Sequence, residues 1–328
     1  MAVNKNIKLL VNYVAGPLIM LLLFYAVANQ LMKQPHWKDS FHEMLTAAVG
    51  KQQWKLYVMF GLTWVNWALE SFKWQIALRS IQSIGFIRAF KAVLAGTCIA
   101  SFTPNRVGEY LGRMLFVDPG NKMNSIAPTI LCSMSQMLIT LIAGSAGIYF
   151  FSSLPFQFQI TWLSPAFFRS ALIITVISAI FLALIYFKFD PLLVRVNNWL
   201  KKNKKNFSIP TNFNFSSLAT ILSLSAIRYL VFVLQYFLLF SLFGISLNAV
   251  QVFTGVSVMF VLMAVVPTLT FLTDLGFRWV AGIQVFHLFT SNTAGILAVS
   301  LGIWFINLII PALVGSLLIL RIKLFENK

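Results

Sequence analysis

Two stretches of this chain place an acid and a base four residues apart within otherwise apolar sequence. The first pair is Glu109 and Arg113, and the second is Asp274 and Arg278. Residues with this spacing share one face of a helix, so each pair can form an ion pair or bind a charged ligand. A guanidinium binds phosphate through two parallel hydrogen bonds, and a carboxylate can bind a cationic group. A structural salt bridge and a ligand contact are therefore both open for each pair.

A proline precedes each pair and is expected to break the helix. These prolines, Pro104 and Pro267, lie in the apolar stretches Ala89–Val117 and Val250–Phe289. Proline lacks a backbone donor and keeps the residue before it out of helical angles, so each stretch should form two half-helices. The free N–H groups at the start of the second half-helix attract anions, and Arg106 would add to that attraction. Broken segments in both halves of a chain are typical of the midplane site of a secondary transporter.

Three more charges interrupt apolar segments. Glu70 and Lys73 are three residues apart and are expected to pair, whereas Arg228 has no acid one helical turn away. A charge at the bilayer centre costs about 2.5–3.5 kcal/mol even on the lenient insertion scale. We therefore predict that Arg228 faces the interior and meets Glu70, Glu109 or Asp274, and that all three charges support the site.

The composition requires a lipid environment. Of 328 residues, 59% are apolar and 10% are charged, whereas a soluble domain has about 45–50% apolar and about 25% charged residues. This excludes a disordered chain, a small disulfide scaffold and a conventional soluble enzyme. The net charge of +17 is explained by the basic residues that accumulate in cytoplasmic loops, with a smaller share for anionic headgroups. Nucleic acid is not an expected partner.

The apolar segments predict an all-α polytopic membrane protein with about six full spans and two broken or re-entrant helical hairpins. The predicted spans are Leu9–Met32, Trp54–Leu78, Ser125–Phe151, Phe167–Phe187, Leu218–Phe243 and Thr293–Leu320. Each hairpin can alternatively be two short complete spans. Residues 1–328 are expected to form a single transmembrane domain.

The order of segments predicts an inverted repeat with halves at about 1–151 and 167–328. Each half would contain a span, a surface helix, a span, a broken hairpin and a span. The predicted surface helices are amphipathic and cover Trp37–Ala48 and Leu192–Leu200. The basic loops place both termini in the cytoplasm.

The stretch Ala100–Arg113, which contains Ser-Phe-Thr-Pro-x-Arg-x-Gly-Glu, resembles the signature of the lysylphosphatidylglycerol synthase transmembrane family. This is a flippase-like domain found alone or fused to a synthase. Trp74–Arg79 and Lys91–Gly96 are also similar to it, and the layout resembles the family over nearly the whole chain. The second family motif is usually rich in glycine and has a glutamate, whereas Asp274 supplies the acid here.

The resemblance implies movement of a lipid, or of a lipid-linked group, between leaflets without ATP. The first motif of the family also includes Gly108, which is therefore added to the candidate substrate-binding residues. The candidate substrate-binding residues are thus Pro104, Arg106, Gly108, Glu109, Arg113, Asp274 and Arg278, with Glu70, Lys73 and Arg228 as supporting buried charges. The expected partner is an anionic or aminoacylated phospholipid or a polyprenyl-linked lipid in the plasma or inner membrane.

Two other functions remain open. One is a proton-coupled secondary transporter of a small anion, and the other is a non-catalytic membrane partner of a lipid-modifying or glycosyl-transfer enzyme. The synthase domain of the fused relatives is not expected here, so we predict no enzyme activity, no catalytic residues, no metal site and no cofactor. A homodimer is also left open.

Overall fold

The architecture comes from a computed structural model that describes residues 52–103, 106–153, 165–202, 209, 213–266 and 271–320. The regular structure within these ranges is helical. The predicted first span, Leu9–Met32, and the predicted surface helix Trp37–Ala48 lie outside the described residues. The same holds for Pro104 and Pro267.

The helices follow the apolar segments closely. In chain order they are α1 (Trp54–Leu78), α2 (Phe86–Ala100), α3 (Gly108–Met114), α4 (Ile126–Ser153), α5 (Pro165–Phe187), α6 (Phe189–Lys202), α7 (Phe215–Leu242), α8 (Ala249–Val265), α9 (Phe271–Phe286), α10 (Thr293–Trp304) and α11 (Ile310–Leu320). A π-helical turn, Phe305–Ile309, joins α10 to α11. Two short 3₁₀ turns, Pro119–Asn121 and Met123–Ser125, precede α4.

Four segments of the described chain are long and apolar enough to cross a membrane. They are Met123–Ser153, Ala166–Phe187, Phe215–Leu242 and Thr293–Ile319. The protein is therefore a multi-pass membrane protein, although the predicted count of six full spans is not settled by these four. Helix α1 has 25 residues and a length of about 37 Å, enough to cross a bilayer. Its polar and charged side chains lower its hydropathy.

Asparagine side chains begin three of these helices. At the start of α7, the Asn214 side chain accepts a hydrogen bond from the backbone N–H of Ser217, and at the start of α10 the Asn292 side chain accepts one from the backbone N–H of Gly295. Asn248 forms a reciprocal capping box with Gln251 at the start of α8. Helix α7 ends before Gly244, whose φ of 70° is a left-handed conformation that suits glycine. These caps satisfy backbone groups that a bilayer would leave without water.

Both interrupted stretches form two helices, as their sequence predicts. In the first, α2 and α3 pack closely because glycines face each other. A Cβ built on Gly112 would lie 2.4 Å from the Cα of Gly96, a distance that no side chain tolerates. In the second stretch, α8 ends at Val265 and α9 begins at Phe271.

The core joins early and late parts of the chain. Helix α1 packs against α7, α4 packs against α8, and α2 packs against α11. In the 18-residue apolar window of Thr293–Ile319, 72% is buried, whereas in that of Ala166–Phe187 only 17% is buried. The last helices therefore form the centre of the bundle, and α5 presents most of its apolar surface to lipid.

Helix α6 lies where the second surface helix was predicted. It carries Asp190 in its first turn and Lys201 with Lys202 in its last turn, which suits the helix dipole. Leu193 is buried on one face, while Trp199 is exposed. Because the corresponding helix of the first half is outside the described residues, the inverted repeat and its halves stay a prediction.

Candidate functional site

Glu70 is the centre of a buried charge network. It lies on α1 with 4% of its surface exposed. Its carboxylate oxygens lie 2.9 Å from Lys73 Nζ, 2.8 Å from Arg113 Nη2 and 2.7 Å from Arg228 Nη1. Three helices, α1, α3 and α7, thus each bring a cation to one carboxylate. The expected Glu70–Lys73 pair forms, and Glu70 is the acid that Arg228 meets.

Further contacts satisfy the cations around this carboxylate. Asn66 Oδ1 accepts a hydrogen bond of 2.5 Å from Arg228 Nε, and the carbonyl of Cys132 accepts one of 3.3 Å from Lys73. The Arg228 guanidinium also lies 5.4 Å from the ring centre of Trp67. Such contacts compensate for the loss of water around a buried charge.

Glu109 links this network to the break between α2 and α3. Its carboxylate accepts a hydrogen bond from Arg113, and it lies 3.7 Å from Arg106 Nε. The Arg113 side chain is 1% exposed, whereas that of Arg106 is 50% exposed. The ion pairs therefore extend from a fully buried guanidinium to a half-exposed one.

A cavity of about 90 Å³ lies between the two broken segments. Arg106 reaches it from the first segment, and Asp274 with Arg278 reach it from the second. Its other lining residues come from the end of α2, from α1 and α7, and from the π turn region. These are Trp67, Ala100, Ser101, Thr103, Arg228, Phe232, Ile303, Trp304, Asn307 and Leu308.

The pair on the second segment forms an ion pair as well. Arg278 Nη2 lies 3.2 Å from Asp274 Oδ2, and Arg278 Nη1 donates a 3.2 Å hydrogen bond to the Tyr236 hydroxyl. Both charged side chains are less than one-fifth exposed, at 16% and 19%. Arg278 Nε is buried without a hydrogen-bond partner among the described residues.

Arg106 has an unusual backbone. Its φ of 59° lies in the left-handed region, which costs about 1–2 kcal/mol for a residue with a Cβ. Glycine would take this conformation without that cost. A strained residue at a cavity is a reason to look for a role of its side chain.

Gly108 has a packing role in this arrangement. A Cβ at Gly108 would lie 2.5 Å from the carbonyl oxygen of Ile99, so only glycine lets α3 begin there. Its backbone N–H donates a 2.7 Å hydrogen bond to Thr103 Oγ1. This bond anchors the first turn of α3 to the end of α2.

The structure divides the candidate residues into two groups. Arg106, Arg228, Asp274 and Arg278 line the cavity, whereas Glu70, Lys73 and Arg113 form the buried network behind it. Glu109 connects the groups, and Pro104 lies outside the described residues. Sequence reasoning placed Arg228 only among the supporting charges.

Several cavity residues were not singled out in the sequence analysis. Asn307 is the clearest, because it lies in the π turn and its side chain donates to Gln235 at 3.0 Å. Gln235 in turn donates to Thr63 at 3.1 Å, which ties α7 to α1. A polar side chain inside the predicted last span was an available signal. π turns are frequent at functional sites.

The site offers guanidinium, carboxylate and amide groups to a polar ligand within an apolar bundle. Such groups bind and orient a charged group that apolar helices alone would exclude.

The comparison with known proteins agrees with this architecture. The family model of the lysylphosphatidylglycerol synthase TM region matches residues 13–315, which is nearly the whole chain. The resemblance seen in the first broken segment is thereby confirmed. No curated protein and no solved structure matches the chain significantly.

Proposed function

Because the chain belongs to the family of the lysylphosphatidylglycerol synthase TM region, we propose that it moves a polar-headgroup lipid, or a lipid-linked group, between the leaflets without ATP. The observation that carries this proposal is the cavity that charged residues of both broken segments line together. A lipid headgroup needs such a polar place within the bilayer, while its acyl chains remain among apolar helices.

The contacts suggest how the site is built for this task. Arg106, Arg278 and Asp274 are the groups that meet the headgroup, because they line the cavity. The network around Glu70 holds Arg228 and α3 in place behind them. We infer that tilting of the bundle around this site exposes it to each leaflet in turn, as in other transporters with broken helices. The task is transport rather than catalysis.

Small-anion transport is the second candidate, because three guanidinium groups and one carboxylate line the cavity. Such a lining favours an anion whether or not that anion is attached to a lipid. A role as a membrane partner of another enzyme would require that second protein for activity. The two transport functions differ in whether the purified protein moves lipid.

The test uses purified protein in vesicles that contain trace acyl-labelled fluorescent phosphatidylglycerol, phosphatidylethanolamine or phosphatidic acid. Dithionite bleaches the label only in the outer leaflet. We expect the protein to raise the bleached fraction of at least one lipid above that of protein-free vesicles, and Arg278→Gln to remove most of this gain. Arg88→Gln is the matched control, because Arg88 pairs with Asp118 at an exposed position.

Uptake of labelled inorganic phosphate under a pH gradient is measured in the same vesicles. Lipid transfer at the protein-free rate for all three lipids, combined with phosphate uptake, would establish the small-anion function instead. Absence of both activities would count against transport of these lipids and of phosphate, and it would favour the partner role.

A further inference from the structure

The charges around the cavity indicate which chemical group it binds. Its described lining contains three bases, Arg106, Arg228 and Arg278, and one acid, Asp274. The ion pairs connect this lining to Glu70, Lys73, Glu109 and Arg113. Among these described residues, five bases face three acids, an excess of two positive charges. Four of these bases are largely buried and Arg106 is half exposed, so the excess positive charge attracts an anion to the cavity.

The size of the excess separates three kinds of headgroup. A phosphate monoester carries a charge of about −1.5 to −2 at neutral pH. A phosphodiester carries a single negative charge, and an aminoacylated headgroup adds positive charge that Arg106 and Arg278 would repel. Only the monoester neutralises both excess charges.

The geometry of the donors fits the same group. Arg278 uses one N–H of each terminal nitrogen, on Tyr236 and Asp274, which leaves the second N–H of each nitrogen for a ligand. Arg106 is half exposed, and its contact with Glu109 is long, at 3.7 Å. Guanidinium groups with unused donors bind phosphate oxygens well, because the fork matches the spacing of those oxygens.

The backbone of Arg106 provides an independent observation. Its φ of 59° favours glycine, yet the chain has an arginine there, and this side chain lines the cavity. The conformation brings the guanidinium to the break between α2 and α3, opposite the second broken segment.

We propose that this cavity binds a phosphate group with close to two negative charges, that is, a phosphate monoester or inorganic phosphate, with Arg106 and Arg278 in direct contact and Arg228 behind them. The inference rests on the proposed function, since it names the substrate class of the same site. The group is either the terminal phosphate of a lipid or free inorganic phosphate.

Binding is tested by thermal unfolding of the purified protein in detergent with short-chain phosphatidic acid, short-chain phosphatidylglycerol or inorganic phosphate. We expect phosphatidic acid to raise the unfolding temperature at a concentration about tenfold below that needed for phosphatidylglycerol, as the loss of a charge-assisted hydrogen bond implies. Arg106→Gly suits the backbone and should fold. We expect it to weaken phosphatidic acid binding by about tenfold.

Arg278→Lys serves as a second variant, because it keeps the charge but loses the planar fork. Arg88→Gln is the control and is expected to bind phosphatidic acid as the unchanged protein does. Equal binding of phosphatidic acid and phosphatidylglycerol would overturn the proposal, and so would undiminished binding by folded Arg106→Gly.

The two ligand sources are separated by competition. If the lipid is the source, inorganic phosphate should displace phosphatidic acid only at much higher concentration. If free phosphate is the source, it should bind more tightly than phosphatidic acid. The binding test and the transport test can fail separately. If the protein binds the monoester but transfers no lipid between leaflets, the proposed function alone is overturned. If it transfers lipid without preferring the monoester, this inference alone is overturned.

Discussion

The two broken segments carry the same acid–base spacing but use it differently. In the first, Arg113 is buried between Glu109 and Glu70, and Lys73 of α1 and Arg228 of α7 add two more cations to Glu70. In the second, Arg278 pairs with Asp274 and contacts one tyrosine, Tyr236. One spacing thus gives a structural core in one segment and an accessible pair at the cavity in the other. What surrounds each pair decides its role.

The largest effect should come from removing the centre of the first network. Glu70→Gln leaves Lys73, Arg113 and Arg228 without their shared carboxylate. Removing one partner of a buried ion pair costs about 3–5 kcal/mol, so we expect a much lower unfolding temperature in detergent. Asp118→Asn is the control, since it breaks an exposed pair with Arg88 and should cost about 0–1 kcal/mol. Equal loss in both variants would show that the network is not structural.

The second prediction concerns the glycine that brings α3 close to α2. In Gly112→Ala the new Cβ would lie 2.4 Å from the Cα of Gly96. Because backbone must move to relieve that contact, we expect a loss of about 1–3 kcal/mol in stability. The unfolding temperature measures it.

The matched variant of the second segment is Gly276→Ala. Among the described residues, nothing lies within 4 Å of its Cβ position, and alanine is about 1 kcal/mol better than glycine within a helix. We therefore expect a slightly higher unfolding temperature. If Gly276→Ala destabilised the protein as much as Gly112→Ala, the contrast between a tightly packed and an open segment would be wrong.

The smallest effect on stability is expected for Arg278→Gln. Its pair with Asp274 lines the cavity, where water can solvate the remaining carboxylate, so we expect a loss of about 1 kcal/mol. Lipid transfer should fall much more than stability does. A variant that lost stability and transfer in proportion would place Arg278 with the structural network.

The sequence predicts the helices well because apolar runs and charge breaks are local signals. The bounds Trp54–Leu78 are the same in prediction and structure, and both broken stretches form two helices. The choice of Glu70 as the partner of Arg228 was open among three acids, because it depends on how α1 and α7 rotate against each other. The contacts between the packed helices identify Glu70 as the partner.

Two cavity features were beyond local reasoning for physical reasons. The π turn at Phe305–Ile309 changes the hydrogen-bonding register within an apolar run, so hydropathy and helical period do not reveal it. The left-handed backbone of Arg106 follows from how two half-helices join. Its residue type gave no indication of that conformation.

The central claim is that charges of both broken segments act on one ligand in one cavity. A double-mutant cycle of leaflet transfer tests it, using Arg106→Gly, Arg278→Gln and the combined variant in the same vesicles. Residues that share a ligand are expected to be non-additive, so the double variant should be little slower than the slower single variant. Two losses that multiply independently, or a single variant with unchanged transfer, would contradict the account.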